Sequence, residues 1–188
     1  QLEGAEKLPK DGRFLLICNH LYILDPVLLL GCFPEAQLAF ISKQENADMF
    51  LIGKIMHRLM CQLINRENDR EALKTILKCI QMIREDQVSV AVFPEGYTSR
   101  DGKLHHFRSN VFKIATKTQE PIVMCTVKNT QNIFHNVKRL RKTVVPLHVV
   151  GVIQPETYSG RTAVDIAQEA YDKMLADLGP EFALPEEN

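Results

Sequence analysis

Short apolar runs alternate along this chain with stretches whose apolar residues recur every three to four positions, and that alternation constrains the fold more than any other feature. Arg13 to Cys18 reads as a buried strand. Asp25-Pro26 then opens a helix, with Asp25 as N-cap and Pro26 at the first helical position, ending near Gly31. Gln37 to Ser42 is a second predicted strand, and Asn46 to Met60 a predicted helix with Met49, Ile52, Ile55, Met56 and Leu59 on one side. Cys61 to Asn65 is a further short strand. Asp69 caps the helix with the clearest period, through Leu73, Ile76, Leu77, Ile80 and Ile83. Val88 to Phe93 reads as a buried strand, followed by a polar loop through His106. Ser109 to Lys117 reads as a helix, Pro121 to Val127 as a strand, and Thr143 to Ile153 as one or two strands. Thr162 caps a last helix to Leu178, stopped by Gly179-Pro180, and the acidic tail from about residue 180 is expected to fray. Strands alternating with helices predict an α/β sandwich, a single domain over residues 1–188 with a mixed, largely parallel sheet flanked by helices.

Composition narrows the function classes. The 188 residues are enough for one hydrophobic core. Lys plus Arg and Asp plus Glu number 23 each, a balance that argues against a dedicated nucleic-acid binder. The five cysteines are scattered, mostly in apolar segments, with no CxxC pair and no dense disulfide pattern. Buried free thiols in a reducing, cytoplasmic compartment are the expectation. No stretch reaches the roughly 18 apolar residues of a membrane span, and no secretory signal opens the chain. The sequence starts at Gln1 rather than Met, so an upstream segment with a membrane anchor can have been lost.

Chemistry concentrates first in Cys18-Asn19-His20-Leu21-Tyr22-Ile23-Leu24-Asp25. A histidine leaves a buried strand, and a carboxylate follows five residues later at a helix start. A tight turn can bring Asp25 onto the imidazole, fixing the tautomer and leaving the other ring nitrogen free to accept a proton. That is what a general base acting on a hydroxyl requires. The spacing alone also arises by chance, with Asp25 as a plain helix cap and His20 as a turn residue. A second segment, Phe93-Pro94-Glu95-Gly96 followed by Tyr97-Thr98-Ser99-Arg100-Asp101-Gly102, puts a carboxylate, a glycine and an arginine on one loop after a strand. An ordinary Pro-Gly turn with a solvated tip has the same composition.

The two segments together resemble the lysophosphatidate acyltransferase family of phospholipid and glycerol acyltransferases. Asn19-His20 with Asp25 matches its NHxxxxD block, and Phe93 to Gly96 matches its FPEG block. Cys61 to Arg66, ending Ile64-Asn65-Arg66, is similar to the second block, and Pro121-Ile122-Val123 to the start of the fourth. The lead-in from Glu3-Gly4 to Gly12 is similar as well, so the likeness covers most of residues 1–153. It implies a fold like that of glycerol-3-phosphate acyltransferase. It also implies transfer of a fatty acyl group from acyl-CoA or acyl-carrier protein to a lysoglycerophospholipid hydroxyl in phospholipid biosynthesis, with 1-acylglycerol-3-phosphate the foremost acceptor. His20 is then the base and Asp25 its orienting partner. Asn19, Arg66, Glu95, Gly96, Thr98 and Arg100 belong to the substrate site, with Arg66 on the acceptor phosphate. Neither a metal nor a cofactor is implied beyond the donor substrate, and no nucleic acid. A peripheral position at the cytoplasmic face of a membrane follows from the lipid acceptor.

Two departures stand out. The family continues FPEG with Thr-Arg, whereas Tyr97 and Thr98 stand here, with Arg100 two residues further on as a substitute cation. Met124 and Cys125 replace the second proline of the fourth block. Thr98 in the place of an arginine keeps open a catalytically weak lipid-binding or scaffold protein that retains the fold. A hydrolase would need a nucleophile elbow, and no GxSxG is present. Cys18, two residues before His20, allows a Cys-His nucleophile against the simpler reading of a buried thiol. His105-His106 lacks partners at metal-ligand spacing in the sequence and reads as surface loop. Lys138, Arg139, Arg141 and Lys142, with Lys128 upstream, are either a site for anionic headgroups, CoA phosphates or an acidic carrier protein, or a solvated turn. The Met49–Met60 helix, which mixes apolar residues with Lys54, His57 and Arg58, reads as core packing, with an acyl channel or a bilayer surface as the alternative.

Overall fold

The structure is a computed structural model that describes residues 1–65, 68–158 and 160–185. The strands are β1 (Leu2–Glu3), β2 (Leu15–Cys18), β3 (Leu38–Lys43), β4 (Gln62–Ile64), β5 (Ser89–Val92), β6 (Ile122–Val127) and β7 (Leu147–Ile153). Among the described residues they form one seven-stranded sheet in the order β1-β7-β6-β2-β5-β3-β4. Every neighbouring pair is parallel except β6 and β7. The helices are α1 (Asp25–Cys32), α2 (Gln44–Ala47), α3 (Phe50–Arg58), α4 (Asp69–Arg84), α5 (Lys113–Thr118), α6 (Ile133–Val137), α7 (Pro155–Tyr158) and α8 (Ala163–Leu178).

The central strands β2, β5 and β6 are buried at every position because both faces of the sheet are covered. In β2 the side chains alternate between two cores. Leu15 and Ile17 meet Ile76, Cys79, Ile80 and Ile83 of α4 and Ile166, Ala170 and Met174 of α8. Leu16 and Cys18 meet Leu29 of α1, Phe33, Val123 and Val149 on the other side. Because β6, β2 and β5 run parallel and adjacent, their carboxyl ends open at one edge of the sheet, where loops can converge.

Several local expectations need correction. Asp25 is the first residue inside α1 and makes no cap bond to the helix; Leu24 is the N-cap. Asn68, not Asp69, caps α4, accepting from the Arg70 and Glu71 amides. The predicted Asn46–Met60 helix is two pieces with a break at Asp48 and Met49, and its apolar stripe is not core: Met49 and Ile55 are exposed and Phe50 is 80% exposed. Leu73 and Leu77 also face solvent, so the buried stripe of α4 runs through Ile76, Cys79, Ile80 and Ile83 instead. Thr143 to Pro146 lies outside β7. Thr162 caps α8 as expected, and the structure adds a capping box: the Thr162 hydroxyl accepts the Asp165 amide and the Asp165 carboxylate accepts the Thr162 amide. The chain does not fray at residue 180: Pro180–Phe182 makes a 3-10 turn, and the Phe182 carbonyl accepts from the Leu104 amide at 2.8 Å. Among the described residues no helix is long and apolar enough to cross a membrane.

Candidate active site

His20 leaves the carboxyl end of β2 and Asp25 starts α1, so the four residues between them decide their geometry. The His20 Nδ1 lies 2.8 Å from Asp25 Oδ2. The same oxygen accepts the backbone amides of Leu21 and Tyr22, each at 2.8 Å. The carboxylate therefore holds the turn in shape and the imidazole in place at once. Asp25 is 1% exposed, and its other oxygen, Oδ1, is buried without a partner among the described residues. With Asp25 accepting, Nδ1 carries the ring proton and Nε2 presents a lone pair. The ring face rests on Phe93, centroids 4.1 Å apart and planes 20° apart, with Phe40 stacked behind Phe93. Packing and one charged hydrogen bond together leave the imidazole little freedom.

The turn after β5 supports His20 from below. Glu95 is 1% exposed, and both its oxygens are engaged: Oε1 accepts the His20 amide at 2.8 Å, Oε2 the His105 amide at 3.0 Å. Burial pushes its carboxyl up to about 7, against the pull of those two amides and nearby His105. So placed, Glu95 binds the loop after β2 to the loop after β5, a positioning role; the acceptor-site role expected for it would need a carboxylate open to a ligand. Asn19 is also buried. Its amide donates to the Val127 carbonyl at 3.0 Å and its oxygen accepts the Val127 amide at 2.8 Å, which fixes the His20 turn to the end of β6.

Gly96 has φ +86°, and an added Cβ would stand 2.6 Å from Arg108 Nε. The Arg108 side chain thus lies directly over the turn, a placement that no spacing in the sequence signals. Arg108 also ties its amide to the Pro94 carbonyl. Thr98 is half-buried and Arg100 exposed on the same loop. Arg66 lies outside the described residues.

The loop is knotted rather than a solvated tip. Asp101 Oδ1 accepts from Ser99 Oγ, the Lys103 amide and His105 Nε2, and the Lys103 amide bond chiefly draws its carboxyl down to about 2. His105 therefore has a carboxylate partner that local spacing did not suggest. Among the described residues no cluster of three or more His, Cys, Asp and Glu could hold a metal ion.

Cys18 is fully buried, and burial raises its thiol well above the ordinary range. A thiol so placed is a core side chain and not a nucleophile.

What the arrangement can do is take a proton. Nε2 of His20 has no hydrogen bond among the described residues, while the rest of the residue is fixed through Asp25, Glu95, Phe93 and the Ser99 amide on its carbonyl.

A family model described as Acyltransferase matches residues 1–128. The probable 1-acyl-sn-glycerol-3-phosphate acyltransferase of Mycoplasma pneumoniae is 33% identical over 146 residues, which cover 76% of this chain and 54% of that protein. The 1-acyl-sn-glycerol-3-phosphate acyltransferase of Borreliella burgdorferi is 28% identical over 179 residues, 93% of this chain and 71% of that one. The chain thus spans about half the length of the first relative and about seven-tenths of the second. The crystal structure of the 1-acyl-sn-glycerophosphate acyltransferase PlsC from Thermotoga maritima has the same fold, with a TM-score of 0.73 at 25% identity over 94% of this chain and 70% of that one. The matched residues 1–128 take in both the His20 turn and the Glu95 turn, and by that match the chain belongs to the acyltransferase family.

Proposed function

We infer that the chain moves a fatty acyl group from acyl-CoA or acyl-carrier protein to the free hydroxyl of a lysoglycerophospholipid, with 1-acylglycerol-3-phosphate as acceptor. In this reading residues 1–188 act as one acyltransferase domain in phospholipid biosynthesis, peripheral to the cytoplasmic face of a membrane. The observation that carries it is the buried Asp25 carboxylate 2.8 Å from His20 Nδ1, with Nε2 open. The activity for which the relatives are named supplies the substrate class.

His20 Nε2 takes the proton of the acceptor hydroxyl as its oxygen attacks the thioester carbonyl. The tetrahedral intermediate collapses by breaking the C–S bond, and the imidazolium returns its proton to the leaving thiolate. Asp25 stabilises the imidazolium formed between those steps. Gly96, with no side chain of its own, leaves room for the Arg108 guanidinium over the turn, and Thr98 lies on the same loop. Arg100 and Arg108 supply cations for the acceptor phosphate, with Arg66 the third expected from the family likeness.

The test is thiol release from acyl-CoA with and without 1-acylglycerol-3-phosphate. Wild type should release thiol only with acceptor present. Folded His20→Ala should lose ~10³-fold or more, the scale of a catalytic base with its partner. Acceptor-independent release would make the protein a hydrolase. No release by wild type across thioester donors would leave a lipid-binding scaffold.

A further inference from the structure

We propose that the segment between β6 and β7 is a docking surface for an anionic lipid bilayer and seats the His20 site against the membrane. Charge in this chain balances overall but segregates here: no Asp or Glu occurs between Glu120 and Glu156. Lys138, Arg139, Arg141 and Lys142 are all exposed, and among the described residues none of them forms a salt bridge. Lys128 is the exception in this stretch, spent on the Leu178 carbonyl and the Phe182 ring.

Apolar side chains project from the midst of these cations. Leu140 is 97% exposed, between Arg139 and Arg141, and Val137 and Phe134 are 59% and 47% exposed. Nor is Leu140 merely loose. It holds φ +54°, a left-handed conformation that costs a branched residue energy. The backbone around it is fully engaged: the Arg139 and Arg141 amides both donate to the Asn136 carbonyl, the Leu140 amide to Val137, and Asn136 Nδ2 to Thr143 Oγ1. A built turn that points leucine outward among four cations places apolar atoms at acyl-chain depth and charge at headgroup depth. An acidic protein partner would use the cations but would leave the outward Leu140, Val137 and Phe134 without the apolar layer that a bilayer supplies.

The surface is fixed to the catalytic turn. Asn19, next to His20, makes its two bonds to Val127, where the segment begins, and the Tyr22 ring meets Phe134 edge-on at 5.7 Å. Exposed Ile23 and Val27, on and beside α1, extend the apolar surface from the His20 side. Docking through Leu140 would therefore hold the site beside the layer in which a lipid substrate resides.

Sedimentation with vesicles, without donor or acceptor, tests this independently of acyl transfer. Wild type should bind vesicles of equimolar phosphatidylcholine and phosphatidylglycerol, weakening as salt rises, and bind phosphatidylcholine alone poorly. Lys138, Arg139, Arg141 and Lys142 all changed to Gln should weaken mixed-vesicle binding by about a hundredfold or more, at about fivefold per cation. Leu140→Gly should weaken it by about tenfold, with no loss of thermal stability, since glycine takes the left-handed φ freely. Neither change should alter turnover of a short-chain, freely soluble acceptor. Wild-type binding by either folded variant overturns the proposal. So does a quadruple variant that keeps vesicle binding but loses affinity for acyl-carrier protein or acyl-CoA, which would give the surface to the donor.

Discussion

Glu95 has two buried oxygens, two backbone donors and an unfavourable place for charge, and its titration should be visible in folding. Its carboxyl rises from an ordinary 4.5 to about 7 because burial outweighs the His105 and His20 amides. A group that holds its proton more tightly when folded stabilises the fold fully below pH 4.5, and that stability is lost as pH climbs through 7. At about 1.4 kcal/mol per unit the loss is up to about 3 kcal/mol. Urea unfolding of wild type and Glu95→Gln should therefore differ in slope between those two pH values, with wild type losing ground to the variant toward pH 7. Parallel curves would mean that the carboxylate is as well solvated by its amides as by water. The sequence marks Glu95 by its motif and not by its work, because the groups it holds are main-chain amides 75 and 10 residues away. His20 and Asp25 are legible for the opposite reason: they sit five residues apart in one turn, where local chain geometry nearly fixes the contact.

At the scale of elements, apolar periodicity finds the strands and the long helices but not which stripe faces the core. α3 shows a clear apolar side, yet Phe50 and Ile55 are exposed, and Lys54 lies over the Phe50 ring at 4.0 Å. Periodicity records an amphipathic helix; only the neighbouring elements say whether anything covers it. Caps shift by one residue for a similar reason, since Asn68 and Asp69 are both competent and the turn geometry chooses Asn68. The turn after β5 depends on such a contact between elements, with Arg108 from the following segment against Gly96. Gly96→Ala adds a Cβ at φ +86° and within 2.6 Å of Arg108 Nε. It should cost about 1–3 kcal/mol, part of it backbone strain and part collision. Combining it with Arg108→Ala should recover the collision part, so chemical denaturation of the double variant should show less destabilisation than the two single variants sum to. Simple additivity would place the Arg108 side chain elsewhere in solution.

Across the whole molecule, the site depends on elements far along the chain. Leu15 and Ile17 in β2 share one core with Met174 and Leu178 in α8, so the strand that carries His20 is backed by the C-terminal helix. Asp177, in the last turn of α8, is badly placed for the helix dipole, but it accepts from Thr126 Oγ1 and His148 Nδ1 and so ties α8 to β6 and β7. The segment after α8 reaches the site itself. The Phe182 carbonyl accepts the Leu104 amide, the Glu181 carbonyl accepts Lys103 Nζ, and Tyr171 OH donates to the Leu104 carbonyl. The next amide, that of His105, holds Glu95, which holds the His20 amide. Composition alone marks residues from about 180 as a fraying tail, because acidic and Pro-bearing ends usually are; the partners that order Pro180–Phe182 lie some 78 residues earlier and leave no local trace. Ending the chain at Leu178 removes one amide acceptor, one ammonium acceptor and the half-buried Phe182 ring from the core. The expected cost is about 2–4 kcal/mol in a urea melt. Turnover should also fall about tenfold with little change in KM, because a loosened Leu104–His105 segment lets the His20 backbone drift while the acceptor cations stay in place. A truncated chain that melts lower but turns over at the wild-type rate would break the link from Phe182 through Glu95 to His20, leaving the tail a purely structural clasp.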